Sequence, residues 1–393
     1  MPRAGRVREP SPAAVDVVVI GAGPVGLALA CLLAMRGIGV TVLERATAAS
    51  TRSRAFGVHT PGLGVLDRVG VGAAVRAESA PIGTGRVTCR GRVLGRMRFT
   101  EPIRSLPQHR IEALLVDRLE QLAPGALRRG VAAAGLRGVH GGVEVRTETT
   151  AEVGSEIVRA RLAVAADGVR SPTRRLLGIG WTPRPGRARY VMADVSGGGE
   201  VTDDDETAVL RFEPDGVVES FPLPGGHRRV VAWHDGGDPD ATAFAALVAG
   251  RTGRRFETVG APSSFTAAQH VATRFAHGRV ALAGDAAHEV SPIGGQGMNL
   301  GWLDALALAD AIERDLARPP GGRRRRFARG PFARYGRRRR RAALRACRRA
   351  AFNMAMGAPA WGIPLAVRNA AIRLLGVPPL RGLLAATFTM RGL

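Results

Sequence analysis

A chain of 393 residues with 45% apolar side chains can build more than one hydrophobic core, which excludes disorder as its overall state and suits two domains. Its formal charge of +24 would ordinarily suggest a polyanionic partner, but every basic residue is arginine and lysine is absent. With abundant Ala, Gly and Pro this reads as codon bias, no nucleic-acid-binding module pattern accompanies it, and nucleic acid is not expected as a partner.

Residues 1–13, rich in Arg, Pro and Ala without periodicity, are expected to form a disordered arm. From Asp16 the stretch DVVVIGAGPVGLALACLLAMRGIGVTVLER reads as a buried strand, a glycine turn, a helix of about four turns and a second strand ending at Glu44. That is a complete βαβ unit. Residues 15–35 are apolar enough to suggest a membrane span, but GAGPVG breaks the run and no span is assigned. Helical spacing over 110–122 and strand patterns over 141–145 and 156–164, the last closing on ADG, extend this first domain. Over 181–266 the texture changes to short β-rich runs between Gly, Pro and Asp clusters, which predicts an antiparallel sheet. The first texture returns at Arg279, where RVALAGDAAH is a strand entering a Gly-rich loop, and 300–315 is a helix. Arginine clusters at 323–326 and 337–341 and further helical stretches complete the chain. Cys31, Cys89 and Cys347 are odd in number and in no CxxC spacing, which argues against a disulfide framework or a zinc site; no metal is expected, and the compartment is taken as the cytoplasm.

In GAGPVG, Gly21 permits the tight turn, Gly23 lets backbone amides approach a pyrophosphate, and Gly26 allows close packing of helix on strand; Pro24 opens the helix. Glu44, eighteen residues past Gly26, is placed to accept hydrogen bonds from an adenosine ribose. This motif does not separate FAD from NAD, but GRVALAGDAAHEVSPIGGQGMNLGWLDA does. A carboxylate at Asp285, at the end of a strand, can hold the ribityl hydroxyls that FAD has and NAD lacks. The helix beginning near Gly297 can direct its dipole at the flavin N1 and C2 carbonyl. The fold class expected is α/β: a Rossmann-like FAD-binding domain over 14–79, 100–180 and 270–330, interrupted by a β-sheet substrate domain over 80–99 and 181–269, with C-terminal helices over 331–393.

Four segments together resemble the FAD-dependent aromatic hydroxylases, the single-component flavoprotein monooxygenases that include p-hydroxybenzoate hydroxylase and polyketide-tailoring hydroxylases. They are GAGPVG with LER ending at Arg45, TRSRAFGV, AADGVRSPTR and GDAAHEVSPIGGQGMN. The resemblance implies that Arg52 and Arg54 lie near the pyrophosphate and the nicotinamide cofactor, and that Gln108 contacts FAD phosphate or ribityl oxygens. Asp167 and Gly168 match a fingerprint for both FAD and NAD(P)H, Asp285 the ribityl ligand, and Pro292, Gly295, Gly297, Met298 and Asn299 the loop lining the isoalloxazine. Where many relatives read RT, this chain has His59 and Thr60. No further C-terminal domain is expected, which resembles the shorter branch. The chemistry so implied is hydroxylation or epoxidation of an aromatic or polyketide-like molecule with NAD(P)H and O2 through a flavin C4a-hydroperoxide. Pro292 and Arg54 are its flavin-proximal candidates.

Substrate groups are sought on the sheet domain: Phe221, Pro222 and Trp233 first, with Arg211, Phe212 and His234 beside them. His288 in GDAAH is read as a support of the loop rather than as a base. Flavin halogenases are set aside because no WxWxIP element is present. Quinone or isoprenoid chemistry stays open, since the region 350–393 has Arg-flanked apolar stretches suited to a peripheral membrane contact. A non-catalytic flavin-fold binding protein, using the arginine clusters, is the alternative outside enzymology.

Overall fold

The computed structural model describes residues 15–49, 57–149, 154–196, 206–317 and 332–377; the expected arm over 1–13 and the arginine cluster 323–326 lie outside them. Strand Val15–Ile20 pairs in parallel with Val40–Glu44 on one side and with the second half of Ser155–Ala165 on the other. Leu127–Arg129 and Val280–Leu282 extend the sheet outward, again in parallel. The central runs are apolar without alternation because both faces are covered. Val17 and Val19 join the helices, while Val18 and Ile20 pack under the antiparallel ribbon of Val131–Val139 and Gly142–Thr149. Ser155–Ala165 serves both: its first half pairs antiparallel with the ribbon, its second half parallel with the core.

Helix Pro24–Ala34 is buried at every position from Gly26 to Leu33. It is uniformly apolar because two other helices cover what the sheet does not. Helix Gln108–Leu122 is amphipathic and buries Ile111, Leu115 and Leu119 at four-residue spacing, with Cys31 Sγ donating to the Leu115 carbonyl at 3.5 Å. Helix Gln296–Leu316 lies against the other side, its Trp302 Nε1 donating to the Pro24 carbonyl at 3.1 Å.

A second, eight-stranded sheet is built from the interrupting segments. Its order is Glu257–Ala267, Ala188–Ser196, Arg228–Trp233, Gly216–Pro222, Thr207–Glu213, Ala80–Cys89, Arg92–Ser105 and Gly57–Val58. All neighbours are antiparallel except Thr207–Glu213 and Ala80–Cys89. The domain boundary expected at 99/100 falls inside the strand Arg92–Ser105, and Gly57–Val58, expected in the first domain, closes the edge of this sheet. A hairpin arm continues through its ladder wherever pairing does, and composition carries no mark of that point. One face packs Val191, Val218 and Val230 on helix Ala241–Thr252. The other gathers Tyr190, Phe212, Val217 and Val231 around Ile293 of the SPIGGQG loop and Met354, Leu365 and Ile372 of the C-terminal helices.

Helix Ala333–Gly357 shows why the arginine run 337–341 is more than a solvated face. Tyr335, Arg339, Ala342, Ala343, Ala346, Ala350 and Met354 form its buried stripe, and Arg339 turns inward with them. Arg334, Arg338, Arg341, Arg345 and Arg348 remain exposed. Helix Gly362–Leu375 follows, buried through Leu365, Arg368 and Ile372.

Candidate cofactor site

Ile20, Ala165 and Leu282 share one register across three parallel strands, so Gly21, Asp167 and Asp285 leave adjacent strand ends side by side. Glu44 ends the strand on the far side of Gly21. Ligands of open α/β sheets bind outside such carboxyl ends. Gly21 has φ 105°, a region that favours glycine, and a side chain there would strike the Ala166 carbonyl. A side chain at Gly26 would strike the Gly21 carbonyl, so glycine lets the helix approach the strand. At Gly23 a Cβ would meet nothing within 4 Å. The turn therefore faces open space, and helix Pro24–Ala34 behind it has no side-chain cap on its first-turn amides. An open glycine cradle under uncapped amides fits a pyrophosphate.

Glu44 accepts from the Ala22 and Ala46 amides, each at 2.8 Å, which fixes the carboxylate while leaving it capacity for hydroxyl donors. Arg45 is exposed beside it; Arg52 and Arg54 lie outside the described residues. Gln108 opens its helix and donates to Glu112 at 2.8 Å. Burial raises Glu112, the Gln108 hydrogen bond opposes that shift, and Glu44 and Arg129 act on the same group. Gln108 and Glu44 thus share one polar end of the site. Sequence reasoning missed Glu112, one turn after Gln108 on the same helix face.

Asp167 accepts from the Thr173 amide at 3.0 Å through Oδ2, while its Oδ1 is buried without a partner. Gly168 follows at φ 79°. Asp285 is exposed on the turn Gly284–Ala286. Buried Arg174, from SPTR, donates to the Ala286 carbonyl at 3.0 Å and to the Val169 carbonyl at 2.7 Å, and stacks 3.7 Å over the Trp181 ring. One guanidinium thereby ties the ADG segment to the GDAAH turn.

Under that turn lies a buried charged cluster. His288 Nε2 is 2.5 Å from Asp304 Oδ2, Arg339 Nε donates to Asp304 Oδ1 at 2.5 Å, and the Gly284 amide donates to Asp304 Oδ2 at 3.2 Å. Burial resists ionisation of Asp304, but His288 and Arg339 outweigh it and hold its carboxyl below the ordinary range. The buried His288 ring thereby ties the turn to helix Gln296–Leu316.

In the loop that follows, Gly294 and Gly295 take φ 89° and 64°, and the Gly295 amide donates to the Pro292 carbonyl at 2.8 Å. Pro292 is exposed, while Gly297 and Met298 are half-buried in the first turn of helix Gln296–Leu316, which also lacks a side-chain cap. Asn299 is fully buried: Nδ2 donates to the Gly57 and Gly295 carbonyls at 2.9 and 2.8 Å, and Oδ1 accepts from the His59 amide at 2.9 Å. His59 Nε2 lies 3.1 Å from the Gly294 carbonyl, and burial lowers its pKa to about 4. Asn299 and His59 therefore clamp the loop.

The model of an FAD binding domain family matches residues 14–349. The chain belongs to this family, that of the FAD-dependent aromatic hydroxylases. It is 35% identical over 314 residues to a 12-dehydrotetracycline 5-monooxygenase/anhydrotetracycline 6-monooxygenase of Streptomyces rimosus, covering 75% of this chain and 61% of that one. A rifampicin monooxygenase of Streptomyces venezuelae is 34% identical over 315 residues, covering 75% and 63%. The solved structure of an anhydrotetracycline hydroxylase from Streptomyces rimosus superposes with a TM-score of 0.77 at 30% identity, covering 97% of this chain and 77% of that one. The chain thus spans about three fifths of the length of the first relatives it matches.

The FAD-binding fold faces the second sheet across Ile293, and strand alternation sorts the substrate candidates. Phe221 and Trp233 lie on the face shared by Val217 and Val231, with Trp233 edge-on to Tyr190 at 5.5 Å and donating through Nε1 to Asp235 at 3.0 Å. Phe212 is buried on that face as well. Pro222 and Arg211 alternate to the opposite face, the one under helix Ala241–Thr252, which takes them away from the loop. The His234 ring is turned to the Gly237 carbonyl at 3.1 Å.

Proposed function

We propose that this chain is an FAD-dependent monooxygenase that hydroxylates or epoxidises an aromatic or polyketide-like small molecule with NAD(P)H and O2. The observation that carries this reading is the convergence of three motif segments, GAGPVG, ADG and GDAAH, and of Glu44 on one sheet edge, with an apolar sheet face directly beyond the SPIGGQG loop. In it, Gly21, Gly23 and the amides after Pro24 hold the pyrophosphate, and Glu44 with Gln108 the adenosine ribose end. Asp285 holds the ribityl chain, Pro292 with Gly297 and Met298 lines the ring, and Asp167, Arg52 and Arg54 serve the cofactors' polar ends. Reduced flavin supplies the oxygen chemistry when bound. The protein's share is to orient the substrate over Val231, Phe221 and Trp233 and to keep water from it. Three buried, unpaired thiols suit the reducing cytoplasm.

The test is turnover of FAD-loaded protein under 18O2 with a panel of phenolic polyketides. The expected result is substrate-stimulated NAD(P)H oxidation with one labelled oxygen in the product. Oxidation of NAD(P)H without label in any phenol would sink the monooxygenase reading. A colourless protein that cannot take up FAD would leave only a binding protein.

A second reading, action at a membrane surface, is favoured by the C-terminal helices. Ile363, Val367 and Leu374 form an exposed apolar stripe, with Ile363 80% exposed, next to exposed Trp361 and Phe352. The arginine stripe of helix Ala333–Gly357 runs into Phe352, and no acidic residue follows Asp315. Charge and apolar surface together fit an anionic bilayer. Among the described residues no helix is long and apolar enough to cross one. Co-sedimentation with phosphatidylglycerol vesicles but not phosphatidylcholine vesicles is the expected outcome; sedimentation with neither removes this reading.

A further inference from the structure

The sheet face that meets Ile293 is mostly apolar; its Arg229 is paired with Asp194 at 2.7 Å, whereas two central polar residues are not so matched. Glu219 sits between Leu210 and Val231 of the neighbouring strands, and Tyr190 sits between Trp233 and Phe265. Alternation puts both on the face of Phe212, Val217 and Val231. Glu219 is 5% exposed and has no hydrogen-bond or ion-pair partner among the described residues. The Tyr190 hydroxyl is buried and equally unpartnered. Burial alone pushes the Glu219 carboxyl up to about 7; burial first, and then Glu219 itself, raises the Tyr190 phenol, so the two groups sense each other. A buried polar group left unpaired costs stability, and nothing among the described residues repays the cost of either. A ligand that brings its own polar atoms does.

We propose that Glu219 and Tyr190 are substrate-recognition residues, with the Glu219 carboxyl accepting a hydrogen bond from a phenolic hydroxyl of an aromatic lying over Val231 and Trp233, and Tyr190 holding a second polar atom of the same molecule. Two strand spacings, about 10 Å, and one same-face step separate the pair, a span that fits a molecule of more than one ring. A carboxyl at Glu219 repels a carboxylate, so the site selects hydroxylated over carboxylated aromatics. This inference rests on the monooxygenase reading for its choice of an aromatic ligand.

The probes are 1-naphthol and 1-naphthoate, titrated into the FAD-loaded full chain and read by perturbation of the flavin absorbance, with thermal midpoints measured in parallel. Wild type is expected to bind naphthol at least tenfold more tightly than naphthoate. Glu219→Leu should lose that tenfold for naphthol while its midpoint stays level or rises, because the unpartnered carboxyl is gone. Glu219→Gln should bring the two affinities to within about threefold, and Tyr190→Phe should weaken naphthol severalfold. Unchanged naphthol affinity in Glu219→Leu overturns the assignment while leaving the monooxygenase reading intact. A fall in midpoint shared by Glu219→Leu and Glu219→Gln marks the residue as structural and overturns it too. Wild type that holds FAD and responds to neither probe overturns the assignment, and the monooxygenase reading is then judged by the 18O2 experiment alone.

Discussion

Asp304 is a carboxylate with no exposure and two close partners, the His288 ring and the Arg339 guanidinium, drawn from a loop and from a helix far along the chain. Removing one member of such a group leaves the others buried and uncompensated, which costs about 3–5 kcal/mol. Asp304→Asn should therefore lower the thermal midpoint strongly and weaken FAD retention, since its amide nitrogen must face either Arg339 or the Gly284 amide, both donors; an unaltered midpoint would show that the cluster is inert. His59 carries a pH signature of its own. Its ring is protonated near 6.5 when free and near 4 in the fold, because burial disfavours the cation. The folded pKa is depressed, so the unfolded chain takes up the proton first. Stability is fully present above about pH 6.5 and falls progressively towards pH 4, by on the order of 3 kcal/mol for this one residue. His59→Gln should flatten that part of the stability curve, as chemical denaturation at pH 7 and pH 5 would reveal.

Helix Gln296–Leu316 must lie close to helix Pro24–Ala34 for the two uncapped N-termini to meet at the Gly284–Ala286 turn. Gly301 sets that distance: a side chain on it would strike Val25 and come within 3.3 Å of Gly284 Cα. Gly301→Val should push the helices apart, cost about 1–3 kcal/mol of overpacking and weaken FAD binding, measured as flavin released on gel filtration. The places of the glycine turn, Glu44 and Asp285 at the strand ends were legible in the sequence because a strand running into a turn is written in a short stretch of chain with fixed local geometry. Arg174, Asp304 and Arg339 were not, since their partners stand 112, 16 and 35 residues away and only the folded chain brings them together. Glu219 was hidden for another reason. In VVESFP a lone carboxylate reads as an outward position, and only pairing with Leu210 and Val231 shows that it faces in. The strand end at Ser105 was illegible in the same sense, because the residues after 99 are no different in type from those before it.

Across the whole molecule the charge is unevenly spread. The helix Ala333–Gly357 carries arginines and no acid, while the FAD-binding edge carries Glu44, Asp167 and Asp285. Binding to anionic vesicles through the arginine stripe should weaken several-fold between low and 0.5 M salt, because screening shortens the reach of exposed charges, whereas FAD retention should be far less salt-sensitive. Arg345→Glu with Arg348→Glu should abolish sedimentation without changing the flavin spectrum. The two-sided strand Ser155–Ala165 sets the order of assembly. Residues 280–282 can dock only on 155–165, and these must already lie beside 15–20. Helix Pro24–Ala34 therefore waits for its second cover until helix Gln296–Leu316 has been made, roughly 280 residues later, or some tens of seconds at ordinary translation speeds. For that interval the nascent chain exposes one of its most adhesive elements, so chaperone supply during synthesis should govern its yield more than the stability of the finished fold does.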